Sequence, residues 1–504
     1  MKKALIFLGC LLLTLLTNAQ QAIVEGYVYD QTNKEPLAFA TIGVQETTIG
    51  VITDSTGYFK LTIEPGLYNL EISFTGYSSL IKHELLVISG KPQYHEFLLA
   101  PLPINLESVE VKAAALQRTV ESPTSLQAFS VNEIERMPGA TLDLSKFVKT
   151  LPGVAPRVSF GYNQIVRGGA SNENRFFLDG IEIPTITHFT VQGTSGGPNG
   201  VLNSRMLRQA ELHSGAFPAS RPNALSSVLE VTQREGRKDR FGGNFTLGAT
   251  DFGLLFEGPM GKKSSFMLSA RESFSQHLLE AIGVPVIPFY SDAQYKQVIR
   301  FNPKNELILT GIAAYDKYTL NVGAEPSEAL LYNTGYIPEG RQLTYAGGLV
   351  YKHYLDHSYY TLVVSRNYFF NEAEKFLDNS GEVEDQVLHF LSREAENKMR
   401  LEHKIFRGNG EWNYGVNLEQ DRVETENFSL FTFPDARIDT IDYTSDISLV
   451  RYGGFISHSR SFFNDRLDLF AGLRIDGNTF NTSMQNPLSQ LSPRLSASWA
   501  FTPQ

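Results

Sequence analysis

Several stretches of the 504-residue sequence carry residue types that could do chemistry. His277-Leu278-Leu279-Glu280, with His403 further on, supplies two imidazoles and a carboxylate, the donor set of a catalytic zinc ion. The first three fall in a long polar connection and the last in a strand beside a tight turn, so no local fold gathers them around one open metal position. Gly258-Pro259-Met260-Gly261-Lys262-Lys263-Ser264 approaches a phosphate-binding loop but lacks its glycine spacing and reads as a hairpin turn. Gly193-Thr194-Ser195-Gly196-Gly197 has neither the lysine nor the following helix. Asp54-Ser55-Thr56-Gly57 lacks the glutamate of a calcium loop and reads as a plain turn. No serine-centred nucleophile elbow occurs. The residues point to binding and movement, not to an enzyme, and call for no metal or cofactor.

The elements that would position these residues are almost all strands. From Ala22 to Leu99, Ile23–Tyr29, Leu37–Val44, Tyr58–Ile63 and Tyr68–Phe74 are short apolar or alternating runs separated by turn residues, as in a small β-sandwich. Residues 116–236 are mixed. Ser130-Val131-Asn132-Glu133 and Asp143-Leu144-Ser145-Lys146 read as helix N-termini, and Leu151-Pro152-Gly153 ends the second helix. From Phe241 the period settles at two. Trp412, Tyr414, Val416 and Leu418 alternate with Asn413, Gly415, Asn417 and Glu419. Leu467, Leu469, Ala471, Leu473 and Ile475 alternate with Arg466, Asp468, Phe470, Gly472, Arg474 and Asp476, and Leu495, Ala497, Trp499 and Phe501 with Arg494, Ser496, Ser498 and Ala500.

About twelve such strands follow Phe241. Tight connections at Asn302–Asn305, Asp356-His357, Arg407–Gly410 and Asn464-Asp465 alternate with long polar ones near 275–288, 321–340, 374–385 and 427–446. Short turns at one end and long loops at the other characterise a membrane β-barrel, in which the apolar face meets lipid and the polar face a wet lumen. A water-soluble sandwich has no reason to segregate its connections in this way.

The rest of the chain fits export. Lys2 and Lys3 precede the apolar run Ala4–Leu16, and Thr17 and Ala19 set a cleavage site after Ala19. That run is too short for a stable membrane-spanning helix, and it continues past Cys10, which disfavours a lipoprotein reading. Cys10 is the only cysteine, so neither a disulfide nor a cysteine metal site is expected. The net charge of −10 argues against nucleic acid as a partner.

Two groups of motifs resemble known families. Gly26-Tyr27-Val28, Pro36–Ala40, Thr53–Phe59 and Gly76-Tyr77 are similar to the carboxypeptidase-regulatory-like domain, a non-enzymatic accessory sandwich. Gln164–Gly169, Asn174–Ile181, the Gly193–Gly200 stretch and Ser214–Ala219, in that order, resemble the plug of the TonB-dependent outer-membrane receptors of Bacteroidetes type. The implied fold class is mainly β: a small N-terminal β-sandwich, an α+β plug domain, then the first half of a transmembrane antiparallel β-barrel. The implied divisions are a signal peptide at 1–19, the sandwich at 20–100, a linker at 101–115, the plug at 116–236 and a partial barrel at 237–504. Plugged barrels have about 22 strands, so a fragment with roughly half its barrel missing is expected.

The resemblance implies energised uptake of a scarce nutrient: a siderophore, cobalamin, or a glycan or peptide. Leu106, Glu107, Ser108, Val109, Glu110 and Val111 would be the TonB box, which the periplasmic protein TonB, driven by ExbB–ExbD, captures by strand addition. The sandwich and box would lie in the periplasm and the barrel in the cell outer membrane, with a surface lipoprotein as a further partner the family allows. Arg167 and Gly168, and Asp179 and Gly180, form the plug motif. Arg167 either anchors the plug to a wall carboxylate or stabilises the plug's own fold. A surface receptor for signalling or adhesion, without transport, is the alternative. Substrate-binding residues are not legible.

Overall fold

The computed structural model describes residues 22–101 apart from 46 and 88–92, and residues 125–501 apart from 140–141, 157–162, 322–326, 408–409, 434–436 and 464–465. The expected signal peptide and TonB box lie outside the described residues. The chain divides into two units, 1–115 and 116–504.

The first unit holds β1 (Ala22–Asp30), β2 (Thr41–Val44), β3 (Gly50–Ile52), β4 (Tyr58–Ile63), β5 (Gly66–Ser73), β6 (Leu80–Val87) and β7 (Gln93–Leu99). They form a three-stranded sheet in the order β4-β1-β7 and a four-stranded sheet in the order β3-β2-β5-β6. Alternate residues of both sheets, among them Val24, Phe59, Leu61, Ile72, Leu85 and Phe97, bury one shared core, as a sandwich requires. β1 and β7 run parallel and so close together that a side chain at Gly26 would place its Cβ 1.6 Å from the His95 carbonyl oxygen. Asp54 makes the expected turn: its carboxylate accepts from the amides of Thr56 at 2.8 Å and Tyr58 at 3.0 Å.

The second unit begins with β8 (Leu126–Ser130), helix α1 (Val131–Arg136), helix α2 (Leu144–Val148), β9 (Val154–Pro156), β10 (Gln164–Val166), β11 (Asn174–Leu178), β12 (Ile181–Ile183), β13 (Leu207–His213) and β14 (Ser227–Gln233). Five of these strands make a mixed sheet in the order β12-β11-β14-β13-β8. Both helices start where their caps predict. The Ser130 amide donates to the Glu133 carboxylate at 2.6 Å, and Asp143 accepts from the Ser145 amide at 2.8 Å.

Twelve strands follow: β15 (Gly242–Leu247), β16 (Asp251–Pro259), β17 (Ser264–Ser273), β18 (Val286–Asn302), β19 (Asn305–Leu320) and β20 (Glu339–Leu355). The remainder are β21 (Ser358–Phe376), β22 (Gln386–Arg407), β23 (Gly410–Thr432), β24 (Ile438–Phe462), β25 (Leu467–Asn478) and β26 (Leu491–Trp499). They lie in one antiparallel sheet in sequence order. The long connections carry helices α3 (Gln276–Ala281) and α4 (Glu328–Tyr336).

The two faces of this sheet are inverted relative to a soluble protein. Val416 is 57% exposed and Leu418 52%, whereas Asn417 and Glu419 between and beside them are buried against the plug. One expected connection is mostly strand. The polar composition of 427–446 predicts a long loop, yet Asn427 pairs with Tyr443 and Phe431 with Asp439 in a hairpin. At 25 residues β24 is far longer than a bilayer needs, and both faces of its outer half meet solvent, so the period-two signal vanishes there.

Candidate plug–wall interface

Two tight turns orient the plug's motif residues. Arg167 and Gly168 have φ of 49° and 80°, and the Gly169 amide bonds the Val166 carbonyl at 3.0 Å. Asp179 and Gly180 have φ of 49° and 93° and join β11 to β12 with Leu178 opposite Ile181. Positive φ at both central residues is the type I′ geometry that a two-residue hairpin favours, with glycine second.

The second turn touches the wall. The Asp179 carboxylate accepts from the Gln233 amide at 2.9 Å and from Lys296 Nζ of β18 at 3.1 Å. Lys296 also donates to the Gln233 carbonyl at 2.8 Å, and Arg400 Nη2 of β22 donates to the Gly180 carbonyl at 2.9 Å. Beside them Lys398 Nζ lies 2.7 Å from a Glu182 oxygen. The first turn does not reach the wall. Arg167 is exposed, and among the described residues no wall carboxylate pairs with it.

Arg221, not Arg167, is the plug arginine that reaches a wall carboxylate. Its Nε and Nη2 grip both oxygens of Glu230 at 2.8 Å, and its guanidinium lies over the Phe177 ring, 4.8 Å from the centroid. Its Nη1 reaches Glu402 of the wall at 3.5 Å. Burial opposes ionisation of Glu230, but the Arg221 guanidinium outweighs it and brings the carboxyl down to about 2. Glu211 stands directly opposite Glu230 across β13 and β14. Burial first, and the Glu230 charge second, push its carboxyl up to about 7.

At the long-connection end of the plug lies a cluster whose members are too far apart in sequence to be recognised from it. His188 is wholly buried, with Nδ1 2.6 Å from Asp316 Oδ1 of β19 and Nε2 3.1 Å from Asp292 Oδ2 of β18. The Phe189 amide donates to Asp316 Oδ2 at 2.9 Å. Arg271 Nε of β17 donates to Asp292 Oδ2 at 2.8 Å, and Arg271 Nη2 donates to the Gly200 carbonyl of the plug. The Tyr290 ring packs on the imidazole at 4.3 Å between centroids and bonds Asp251 at 2.7 Å. Burial alone would lower the His188 pKa, but the two aspartates outweigh it and raise it. The imidazolium with Arg271 balances two carboxylates.

Further round the wall, Arg474 donates to the Ala219 carbonyl at 3.2 Å and Arg494 to the Phe217 carbonyl at 3.1 Å. The wall therefore meets the plug through cations and aspartates on its inner face, aimed at plug carboxylates, carbonyls and one imidazole, and through an apolar patch in which Ile181 and Ile183 join Ile312, Ala346, Val350 and Val363. The zinc-like residues do not meet: His277 and Glu280 lie on α3, while His403 on β22 stacks on Tyr360 at 3.8 Å and bonds Tyr414. Glu372, Glu374 and His389 do approach one another on the outer rim, where Arg341 already holds Glu372.

Comparison with solved structures decides the architecture. The siderophore receptor PirA of Acinetobacter baumannii matches 75% of this chain with a TM-score of 0.55 at 14% identity. The ferric enterobactin receptor PfeA of Pseudomonas aeruginosa, in complex with enterobactin, matches 75% with a TM-score of 0.55 at 13% identity. This chain has the fold of the TonB-dependent receptors. It also matches the FpvAI–pyocin S2 complex over 76% of its length, with a TM-score of 0.54 at 13% identity. The chain spans 59%, 60% and 56% of those three chains. Residues 24–111 match the family model of the carboxypeptidase-regulatory-like domain. Mouse and human carboxypeptidase D are 26% identical over 147 residues, which is 27% of this chain and 11% of theirs.

Proposed function

We propose that the protein is an outer-membrane receptor that takes up a scarce nutrient by TonB-driven displacement of its plug. The observation that carries this reading is the polar seam between plug and wall. A sheet with lipid-compatible apolar residues outside holds a folded plug inside, and around a shared apolar patch that includes Ile181, Ile183, Ala346, Val350 and Val363 the two meet through ion pairs and hydrogen bonds. The pairs are buried and each is costly to break alone, so a sustained pull from one end that releases them in steps suits this seam better than spontaneous opening. The relatives named for siderophores favour a ferric siderophore as ligand; cobalamin and a glycan or peptide remain within the same reading.

The pull would act on Leu106–Val111 by strand addition, with TonB and ExbB–ExbD as partners. The protein would then lie in the outer membrane, with its tight turns and its N-terminal sandwich in the periplasm. Binding of the full chain to a purified TonB C-terminal domain tests this reading. Wild type should bind, and Val109→Pro should not, because proline removes a backbone donor from the added strand. No binding by wild type would favour adhesion or signalling over transport.

A further inference from the structure

The outer face of the barrel sheet carries charged residues near its long-connection end, and most of its cations are paired. Arg341 pairs with Glu372, Arg393 with Glu424 and Glu426, and Arg422 with Asp446 and Glu424. Arg366 differs. It is exposed on β21, and its Nε and Nη1 donate only to neutral groups, the Tyr345 hydroxyl at 3.3 Å and Asn397 Oδ1 at 2.7 Å. Among the described residues no carboxylate pairs with it. Asn397 on β22 stands directly opposite Arg366, and Gln420 on β23 directly opposite Asn397, so the arginine and two amides form a row across three strands.

Beneath this row is a notch of about 460 Å³ lined by Gly347, Leu349, Val364, Met399 and Leu418. Gly347 is what opens it. A Cβ at that position would meet nothing nearer than the Thr310 carbonyl oxygen at 3.9 Å, so packing does not demand glycine there. The level in the membrane is informative as well. Two residues towards the tight turns the outward side chains are Val364, Met399 and Leu418, all apolar and exposed. Two residues the other way lie Tyr368, stacked on Tyr345 at 5.2 Å, and the charged Arg422. Arg366 therefore sits where outward apolar side chains give way to a tyrosine pair and charged residues, as they do at the depth of lipid headgroups. An arginine facing lipid is tolerated at that depth, and its planar fork matches a phosphate.

We propose that this notch binds an anionic membrane lipid, with its headgroup phosphate on Arg366, Asn397 and Gln420 and an acyl chain in the groove over Gly347. This rests on the sheet's outer face meeting lipid. The lipid phosphate is then the counter-charge of Arg366.

Native mass spectrometry of the purified full chain, titrated with dioleoyl phosphatidic acid or with dioleoylglycerol, tests the proposal. A phosphate held by charge-assisted hydrogen bonds should give wild type about a tenfold preference for the phosphatidic acid. Arg366→Gln should reduce the phosphatidic acid adduct to the dioleoylglycerol level, and Gly347→Leu should reduce both by filling the groove. Equal retention of the two lipids by wild type, or undiminished phosphatidic acid binding by Arg366→Gln, would overturn the proposal. So would displacement of the lipid by millimolar inorganic phosphate, which would mark an anion site only. Lipid-borne quenching of a probe at Val416 reads the membrane placement separately, so a failure there is distinguishable from failure of the lipid site.

Discussion

The cluster around His188 makes the sharpest demand on the structure. Replacing His188 with glutamine removes a buried cation and leaves Asp316 and Asp292 facing each other with Arg271 as the remaining counter-charge. Breaking a buried ion pair from one side costs about 3–5 kcal/mol, because a charge is left uncompensated away from water. That cost should appear as local opening of the apical plug loop. The reporters are the amides of Phe189, bonded to Asp316, and of Val201, bonded to the Ile186 carbonyl at 2.9 Å. Hydrogen–deuterium exchange should show their protection falling by roughly two to four orders of magnitude at pH 6, by the same energy. Adding Asp316→Asn should recover part of the loss, since Asp292 keeps Arg271. In wild type the sign follows from the raised pKa of His188. Its contribution is complete below the unfolded value of 6.5 and is lost as pH climbs through the higher folded value. Tyr290 and Asp251 also face the cluster and belong in the analysis of that profile. Unchanged protection in His188→Gln, or a double variant worse than the single one, would refute the reasoning.

Glu211 gives an opposite mutational sign with the same pH trend. Its carboxyl, raised to about 7, leaves the plug most stable below the ordinary value of 4.5 and weakens it as pH rises through 7. Glu211→Gln should therefore raise protection of the β13 and β14 amides by about 1–3 kcal/mol at pH 8 and little at pH 5; equal effects at both would contradict it. On the wall, Val416→Arg should destabilise the inserted protein by about 2–4 kcal/mol if that position lies near the bilayer midplane, and less towards either interface, as urea titration in lipid vesicles would show. Asn417→Arg tests the opposite face, but it is not neutral, because Asn417 Oδ1 accepts from Arg474 at 2.6 Å.

Legibility followed locality. The strand at 410–419 could be read because lipid on one side and a wet lumen on the other impose opposite demands on neighbouring residues. The plug helices could be read because Glu133 and Asp143 act within one turn of themselves. The hairpin at 427–446 could not, because both faces of its second arm, from Ile438 on, meet water and no alternation is enforced there. The His188 cluster was also out of reach. Its partners lie 104 and 128 residues away, and an aspartate on the inner face of a barrel strand looks like any other lumen residue. Arg167 attracted notice because it sits in a recognisable Arg-Gly turn. Arg221 did not, because nothing near it in sequence announces Glu230 or Glu402.

The central claim is that the twelve-stranded sheet is a membrane wall with the plug on its inner side. Paired single cysteines at Val416 and Asn417 test it most directly, in a full chain whose only native cysteine, Cys10, is replaced by serine. In outer membranes, a fluorophore at Val416 should be shielded from aqueous quenchers and strongly quenched by spin-labelled lipid. A fluorophore at its neighbour Asn417, attached after denaturation and refolding, should escape lipid quenching. Equal lipid quenching at the two positions, or none at Val416, would mean that residues 410–419 do not face lipid, and the account of this protein as a plugged outer-membrane receptor would fall.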